Sequence, residues 1–502
     1  MFKKTLSILL CGMMLLSALL SCGEVNESGG NTGEKSPNSV TVTDSVQDIL
    51  TDADVALIRE RIAELQSASH GGFDGKEINA VGVDGLSFPT EDEVTGSSES
   101  DAVYYRNRDV ENAFNVKFTK TLVELPPDIQ TAVQRDQSAG TRAIHLAYGG
   151  IVSTGQDIFN NGYAAPIDSY PQIELESPWW QQTLTDYYAI GDRLFFLSGD
   201  MLPEYFERPS CVLFSKKIME DYGIDEDLYA AVRAGEWTID KMFEIASNIP
   251  AGGSVMRYSP ADGSAGINLL FGSGATVTKF DAGHIPYIED SLSPEIMNLA
   301  VKVSAQTGNS SLSYAFDVAA GHGKLELEEM FAGDEILFLF DVASGIARLR
   351  ELDVNGFGIL PNPKASAEQK QYYTYTSTDG ASALFIPKNE MDAEMIGVIV
   401  EAMGAYSYMH IRPTFYDKRL KSRSVYDVES KEMLDIIYST QVYDLFDLYG
   451  GGSWAKGNGE LWQELNRAVL YDPSNISGTY ASLIKATQLG VKKMLKNAEK
   501  YG

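Results

Sequence analysis

The residue types that do chemistry are present in this chain, but not at the spacings catalysis uses. Gly323-Lys324 is followed by Leu325. A phosphate-cradling loop needs Ser or Thr there, and a glycine upstream, so none is expected. Gly272-Ser273-Gly274 lacks the third glycine of a dinucleotide fingerprint. Neither Ser264 nor Ser453 has the glycine on both sides that a nucleophile elbow requires. The five histidines stand at 70, 145, 284, 322 and 410, too scattered for paired metal ligands, and no cysteine pair supplements them. No acidic run has the central glycine and closing Glu of a calcium loop. The 70 carboxylates could supply a glycosidase pair by number, yet nothing singles one out. The expectation is therefore a non-enzyme with no catalytic residue, no metal and no cofactor.

Two cysteines invite separate readings. Cys211 lies in the apolar run Ser210-Cys-Val-Leu-Phe214 and reads as a small buried hydrophobe. Cys22 follows Lys3, Lys4 and an uncharged stretch from Leu6 to Ser21, which is the layout of a secretory signal. The box Leu19-Leu20-Ser21-Cys22 is similar to a bacterial lipoprotein signal, although Leu20 is bulkier than the residue usual there. Cys11 follows Leu10, which is not small. An uncleaved signal anchor and a plain secretory signal are the alternatives. Lipid on Cys22 would hold the chain at the outer face of the cell membrane, in an extracytoplasmic location.

Stepwise along its 502 residues, the chain has ordinary globular composition, 44% hydrophobic and 22% charged. Such a length suggests two or three domains. Its formal charge of -30 repels phosphate backbones, so no nucleic acid partner is expected. After the N-terminus no apolar run of about 18 residues recurs, so no later span of a membrane is expected. Residues 1–21 read as the signal peptide and 22–47, without an aromatic residue, as a flexible tether. Residues 48–72 read as a helical extension: Asp52 as cap, then Val55, Ile58, Ile62 and Leu65 at helical spacing, with His70-Gly71-Gly72 at its end.

Beyond Glu77 the texture changes to alternating strands and helices. Strands are expected at Ile78–Val83, Ile144–Tyr148, Leu194–Leu197, Val212–Phe214, Ile336–Phe340, Phe357–Leu360 and Ala383–Ile386. Helices open at Thr238, at Ser293 with Pro294 behind it, and at Asp392. This alternation predicts α/β layers with largely parallel sheets.

Several segments, in order, resemble those of bacterial extracellular solute-binding lipoproteins of carbohydrate-type ABC importers (family 1-like). They are Val103–Glu111 with Phe114-Asn115-Val116, Pro178-Trp179-Trp180, Leu194–Leu197, Val212–Lys216, Tyr222-Gly223 and Gly235-Glu-Trp-Thr238. Phe357–Lys364, Arg412–Asp417 and Met433–Ile437 complete the series. Ser215 departs from the Asn common in that family, and the helix before Gly71 is an addition. The resemblance implies a two-lobed periplasmic-binding-protein-like fold of type II with a hinge cleft. Lobe 1 would span 73–198 and return at about 375–425. Lobe 2 would span 199–374 and be completed by about 426–502. It also implies a small solute, a sugar, as ligand, a separate ABC permease as partner, and a monomer. A surface carbohydrate-binding or sensor-linked module and a lipid-anchored carbohydrate-active enzyme are the alternatives.

A sugar offers hydroxyls and a weakly apolar ring face, so its site needs planar polar groups and an aromatic platform. Strand ends and glycine loops present six candidates. Trp454 sits in Gly450-Gly-Gly-Ser-Trp-Ala455, Tyr148 precedes Gly149-Gly150, Asp341 ends the Ile336 run, and Asp200 and Glu204 follow the Leu194 run. Trp180 is the sixth, one of a tandem pair expected to pack between lobes. Trp237, before the Thr238 cap, is read as a staple into the core.

Overall fold

The structure is a computed structural model. It describes residues 50–501 except 84–93, 95–98, 152–153, 155–157, 159–160, 192, 261–264, 309–323, 353–355, 377–380, 390, 421–427 and 446–459. Residues 1–49, which hold the signal segment, Cys22, the tether and the first two residues of the extension, lie outside the described residues, as does Trp454. The chain enters through α1 (Asp52–Ala68), then alternates β1 (Lys76–Gly82), α2 (Glu99–Phe114), β2 (Val116–Leu122), α3 (Pro126–Ala139) and β3 (Leu146–Gly150). Next come α4 (Leu184–Tyr188), β4 (Ser210–Ser215), α5 (Lys216–Asp221), α6 (Leu228–Arg233), α7 (Ile239–Ala246), β5 (Met256–Pro260) and α8 (Ala265–Gly272). The hairpin β6 (Thr278–Phe280) and β7 (Pro286–Ile288) precedes α9 (Pro294–Thr307), α10 (Lys324–Ala332), β8 (Ile336–Val342), α11 (Ala343–Glu351) and β9 (Phe357–Leu360). The last elements are β10 (Thr374–Tyr375), β11 (Ser382–Phe385), α12 (Ala393–Leu420), α13 (Val428–Ser439), β12 (Gln441–Val442), α14 (Glu460–Leu470) and α15 (Ile476–Tyr501).

Two four-stranded sheets make the two lobes, one ordered β11-β3-β1-β2 and the other β5-β8-β4-β9. Each is mixed rather than wholly parallel. In the first, β1 is parallel to β2 and β3 while β11 is antiparallel to β3. In the second, β5 and β8 are parallel while β4 is antiparallel to both β8 and β9. The reversed strand is in each case the one the chain enters after crossing from the other lobe. It therefore starts at the edge where the other strands end. Ser382 pairs with Gly150, and Ser210 pairs with Val342. That shared edge collects the ends of β3 and β8 beside the crossing segments, the position at which open α/β sheets present ligand sites.

The crossings run side by side. Pro209 bridges to Thr376, Leu197 bridges to Leu384, and β10 lies parallel to β12. The Leu194–Leu197 run, expected as a strand, meets the first sheet through the single bridge from Leu197 to Leu384 of β11 and builds no ladder, because the chain turns into the crossing. Strand β5 went unread in the sequence, since Arg257, Ser259 and Pro260 leave it no apolar run; β2, which carries Lys and Thr on a half-exposed edge, is legible through the resemblance at Phe114-Asn115-Val116.

The helix signals are local and mostly hold. Thr238 Oγ1 accepts from the Lys241 amide at 3.1 Å and Ser293 Oγ from the Ile296 amide at 3.4 Å. At α1 the cap is Thr51 instead of Asp52, in a reciprocal box with Asp54. Asp52 falls in the first turn, where a carboxylate still meets the positive end of the helix dipole. Trp237 is fully buried, as a staple should be, and its Nε1 donates to the Pro361 carbonyl at 2.9 Å.

Helix α12 explains why α1 exists. Its Met395, Ile396, Val398, Ile399, Val400, Met403, Ile411 and Phe415 are all buried, so it is apolar on more than one face. A helix of that kind needs cover on several sides. It packs against α2 and against α1, whose Ile58, Ile62 and Leu65 are buried. Each such side chain contributes roughly 1.5–3 kcal/mol when fully buried.

Candidate functional site

The lobe-1 end of the crossing is unusually polar for its depth. Asp200 is 1% exposed, and Arg412 of α12 donates from Nη1 to its two oxygens at 3.1 and 3.2 Å. Burial pushes the Asp200 carboxyl up to about 6, against the pull of Arg412. The Arg412 guanidinium also lies over the Tyr408 ring, 5.0 Å from its centroid. One residue along from Asp200, the Met201 carbonyl is 3.5 Å from Nη1 of Arg106, which also donates to Ser407 Oγ at 3.0 Å. Arg106 is fully buried, and desolvation lowers its pKa to about 10. It acts electrostatically on Tyr148 in β3, whose hydroxyl burial raises well above the ordinary tyrosine range. Tyr148, Arg106, Asp200 and Arg412 thus form one continuous corner.

Gly199 lets the crossing reach that corner. Its φ is +146°, and a Cβ there would stand 2.2 Å from the Trp179 carbonyl oxygen. Gln181 Oε1 accepts from the Tyr205 hydroxyl at 2.8 Å, so the turn after Asp200 is fixed as well. Glu204 sits half-buried in the 3-10 turn Pro203–Phe206.

The lobe-2 edge holds a second buried polar group. Asp341, fully buried at the end of β8, is bonded by Lys324 Nζ and by the Val342 amide at 2.7 Å. Lys324 also reaches Glu328 Oε1 at 3.0 Å, and Arg348 Nε reaches Glu328 Oε2 at 2.8 Å. Burial raises the Asp341 carboxyl to about 7, with the nearby Glu328 adding to the rise and Lys324 opposing it. Beside them Asn362 Nδ2 donates to Ser210 Oγ at 2.6 Å. Asn362 Oδ1 and Ser259 Oγ are buried with no hydrogen-bond partner among the described residues.

Of the six residues singled out in the sequence, the structure brings Tyr148 and Asp200 to the same corner, with Glu204 a turn further on. Asp341 stands at the other sheet's edge. Trp180 is 3% exposed, and its Nε1 donates to Glu401 Oε2 of α12 at 3.0 Å, so its polar handle is turned into lobe 1. Trp454 lies outside the described residues. Arg106, Arg412, Lys324 and Asn362 went unread. For Arg106 a signal was available: Val103, Arg106, Val110 and Phe114 are spaced as one helical stripe, and all four are buried. A cation on an apolar stripe is a buried charge in need of partners.

No metal-holding group of three or more His, Cys, Asp or Glu occurs among the described residues. Among them, no helix is long and apolar enough to cross a membrane.

No protein-family model matches the sequence, and no curated protein matches it. Solved structures do match. A cyclo/maltodextrin-binding protein complexed with maltotetraose is 12% identical, with 85% of this chain and 97% of that chain covered and a TM-score of 0.51. A sugar transporter protein from Rhizobium etli in an open conformation is 14% identical, covering 84% and 99%, with a TM-score of 0.51. The galacto-N-biose-/lacto-N-biose I-binding protein of the ABC transporter from Bifidobacterium longum, in complex with lacto-N-biose, is 14% identical, covering 85% and 98%, with a TM-score of 0.50. The fold of this chain is that of two-lobed solute-binding proteins.

Proposed function

We propose that this protein is an extracytoplasmic receptor that captures a mono- or oligosaccharide between its lobes and delivers it to an ABC permease. The observation that carries the reading is architectural. Two sheets are joined by adjacent crossings at the edge where their strands end, over nearly the whole length of proteins whose names say they bind sugars. Sites between lobes are a common location for small ligands. In this reading Tyr148, Asp200 and Glu204 line the lobe-1 side, Asp341 the lobe-2 side, and Trp454 supplies an aromatic platform, with Trp180 behind them. Lipid on Cys22 holds the protein at the outer face of the membrane.

Thermal-shift titration with maltotetraose, lacto-N-biose and a panel of monosaccharides tests the reading. A sugar at 100 times its Kd stabilises the folded state by about 2.7 kcal/mol. Trp454→Ala should weaken binding of the active sugar by roughly 1–3 kcal/mol, the scale of one large side chain, with the ligand-free melting temperature nearly unchanged. A panel in which no carbohydrate raises the melting temperature argues against the ligand class. Intact affinity in Trp454→Ala, with a large loss of stability, removes the platform role.

A further inference from the structure

The N-terminal helix touches the crossing apparatus at two places. At its start, Asp54 Oδ1 accepts from the Tyr408 hydroxyl at 3.2 Å. Tyr408 lies beneath Arg412, and Arg412 holds Asp200 of the crossing. Two turns later, Arg61 Nε donates to Glu401 Oε1 at 3.1 Å, and its Nη2 to the Gln172 carbonyl at 2.6 Å. Its Nη1 lies 2.8 Å from Glu174 Oε1. Glu401, with no side-chain exposure, also accepts from Trp180 Nε1 and from the Glu174 amide at 3.2 Å. Trp180 in turn bridges to Gly199, and the Asp200 amide donates to the Trp179 carbonyl at 3.0 Å. Both routes from α1 therefore end on Gly199-Asp200, the first residues of the crossing.

This geometry is more than cover for α12. Apolar cover alone would need Ile58, Ile62 and Leu65 and nothing at either polar contact. We propose that α1 is a brace for the hinge: through Asp54–Tyr408–Arg412 and Arg61–Glu401–Trp180 it fixes the lobe-1 end of the crossing and so sets how readily the crossing opens. The brace is independent of what the lobes bind. It gives the N-terminal segment a mechanical route to the hinge, because the contact with Tyr408 is made by Asp54, in the first turn of α1.

Hydrogen exchange on the full-length protein without ligand tests it. Tyr408→Phe removes one hydroxyl and leaves the ring under Arg412. Exchange of the Asp200, Leu202 and Tyr205 amides should quicken about fivefold, the factor expected from one lost hydrogen bond. Amides of β4 and β8 should keep their rates. Asp54→Ala should quicken the same amides, and the double variant should do no more than the faster single one, since both cut one chain of contacts. The brace is overturned if α1 amides quicken while those at 200–205 do not. It is equally overturned if every amide in the protein quickens alike, which would mark general loss of stability.

Discussion

Asp200→Asn should flatten part of the protein's stability-versus-pH curve, and the size follows from burial. The carboxyl is 1% exposed, and desolvation lifts its pKa from the ordinary 3.8 to about 6 despite the Arg412 pair. A folded-state pKa above the unfolded one means that protonation favours the fold. The stability so contributed is complete below about 3.8 and is lost as pH rises through about 6. Roughly 2 units at 1.36 kcal/mol each make about 3 kcal/mol across the whole range, of which about 1.4 kcal/mol falls between pH 5 and pH 7.5. Asparagine keeps the shape and one acceptor for Arg412 but cannot titrate. Arg412, whose side chain is 23% exposed, retains water and the Tyr408 ring as partners.

The assay is urea unfolding of wild type and variant at both pH values. The difference between the two pH changes isolates Asp200, because all other titrating groups are common to both proteins. Wild type should lose about 1.4 kcal/mol more than Asp200→Asn on going from pH 5 to pH 7.5. Equal changes in the two proteins would mean that the carboxyl is as well solvated or paired in the fold as in the unfolded chain. Equal changes would also follow if Arg412 outweighed burial, because a folded pKa below the unfolded one is titrated outside this window. That result would refute the reasoning.

Two further outcomes are expected. Gly404→Ala places a Cβ 2.4 Å from Trp179 Cδ1 and 2.9 Å from Trp180 Cζ2; overpacking of about 1–3 kcal/mol should exceed the helix-propensity gain of up to about 1 kcal/mol, and a variant more stable in urea would show that the tandem indoles are not fixed against α12. Cys22→Ala should shift the protein from the membrane fraction to the soluble fraction, or leave it unprocessed; a mature-length variant that still sediments with membranes would exclude lipid on Cys22.

The parts legible in the sequence were those decided within a few residues. Thr238 and Ser293 cap their helices because a hydroxyl beside an apolar stripe has one good use. The runs at Val212, Ile336 and Phe357 form strands because nothing but a sheet interior accommodates them, and all of β4 and β9 is buried. Strand direction was not legible. Whether Ser210 begins a parallel or a reversed strand depends on which side of the sheet the chain enters from, and that is set by the crossing, not by residues 210–215. The Leu194–Leu197 run shows the same limit from the other side: its composition suits a strand, but its position at the crossing denies it a ladder.

The polar corner was half legible for a related reason. Asp200 and Tyr148 drew attention by standing at the ends of apolar runs. Their partners did not, since Arg106 and Arg412 come from helices 94 and 212 residues away in the chain from Asp200. A buried charge can be read from helical spacing, as with Arg106 between Val103 and Val110, but what neutralises it cannot. Glu401 makes the point most fully. It lies on a helix otherwise buried through apolar residues, and four groups converge on it or its pair: Arg61, Trp180, the Glu174 amide and, through Arg61, the Gln172 carbonyl. Removing Arg61 from beside a carboxylate with no side-chain exposure leaves an uncompensated charge, a loss of several kcal/mol. A helix that supplies such a partner cannot be a dispensable addition. Residues 52–68 precede both sheets in the chain, yet the interior of lobe 1 is electrostatically incomplete without Arg61.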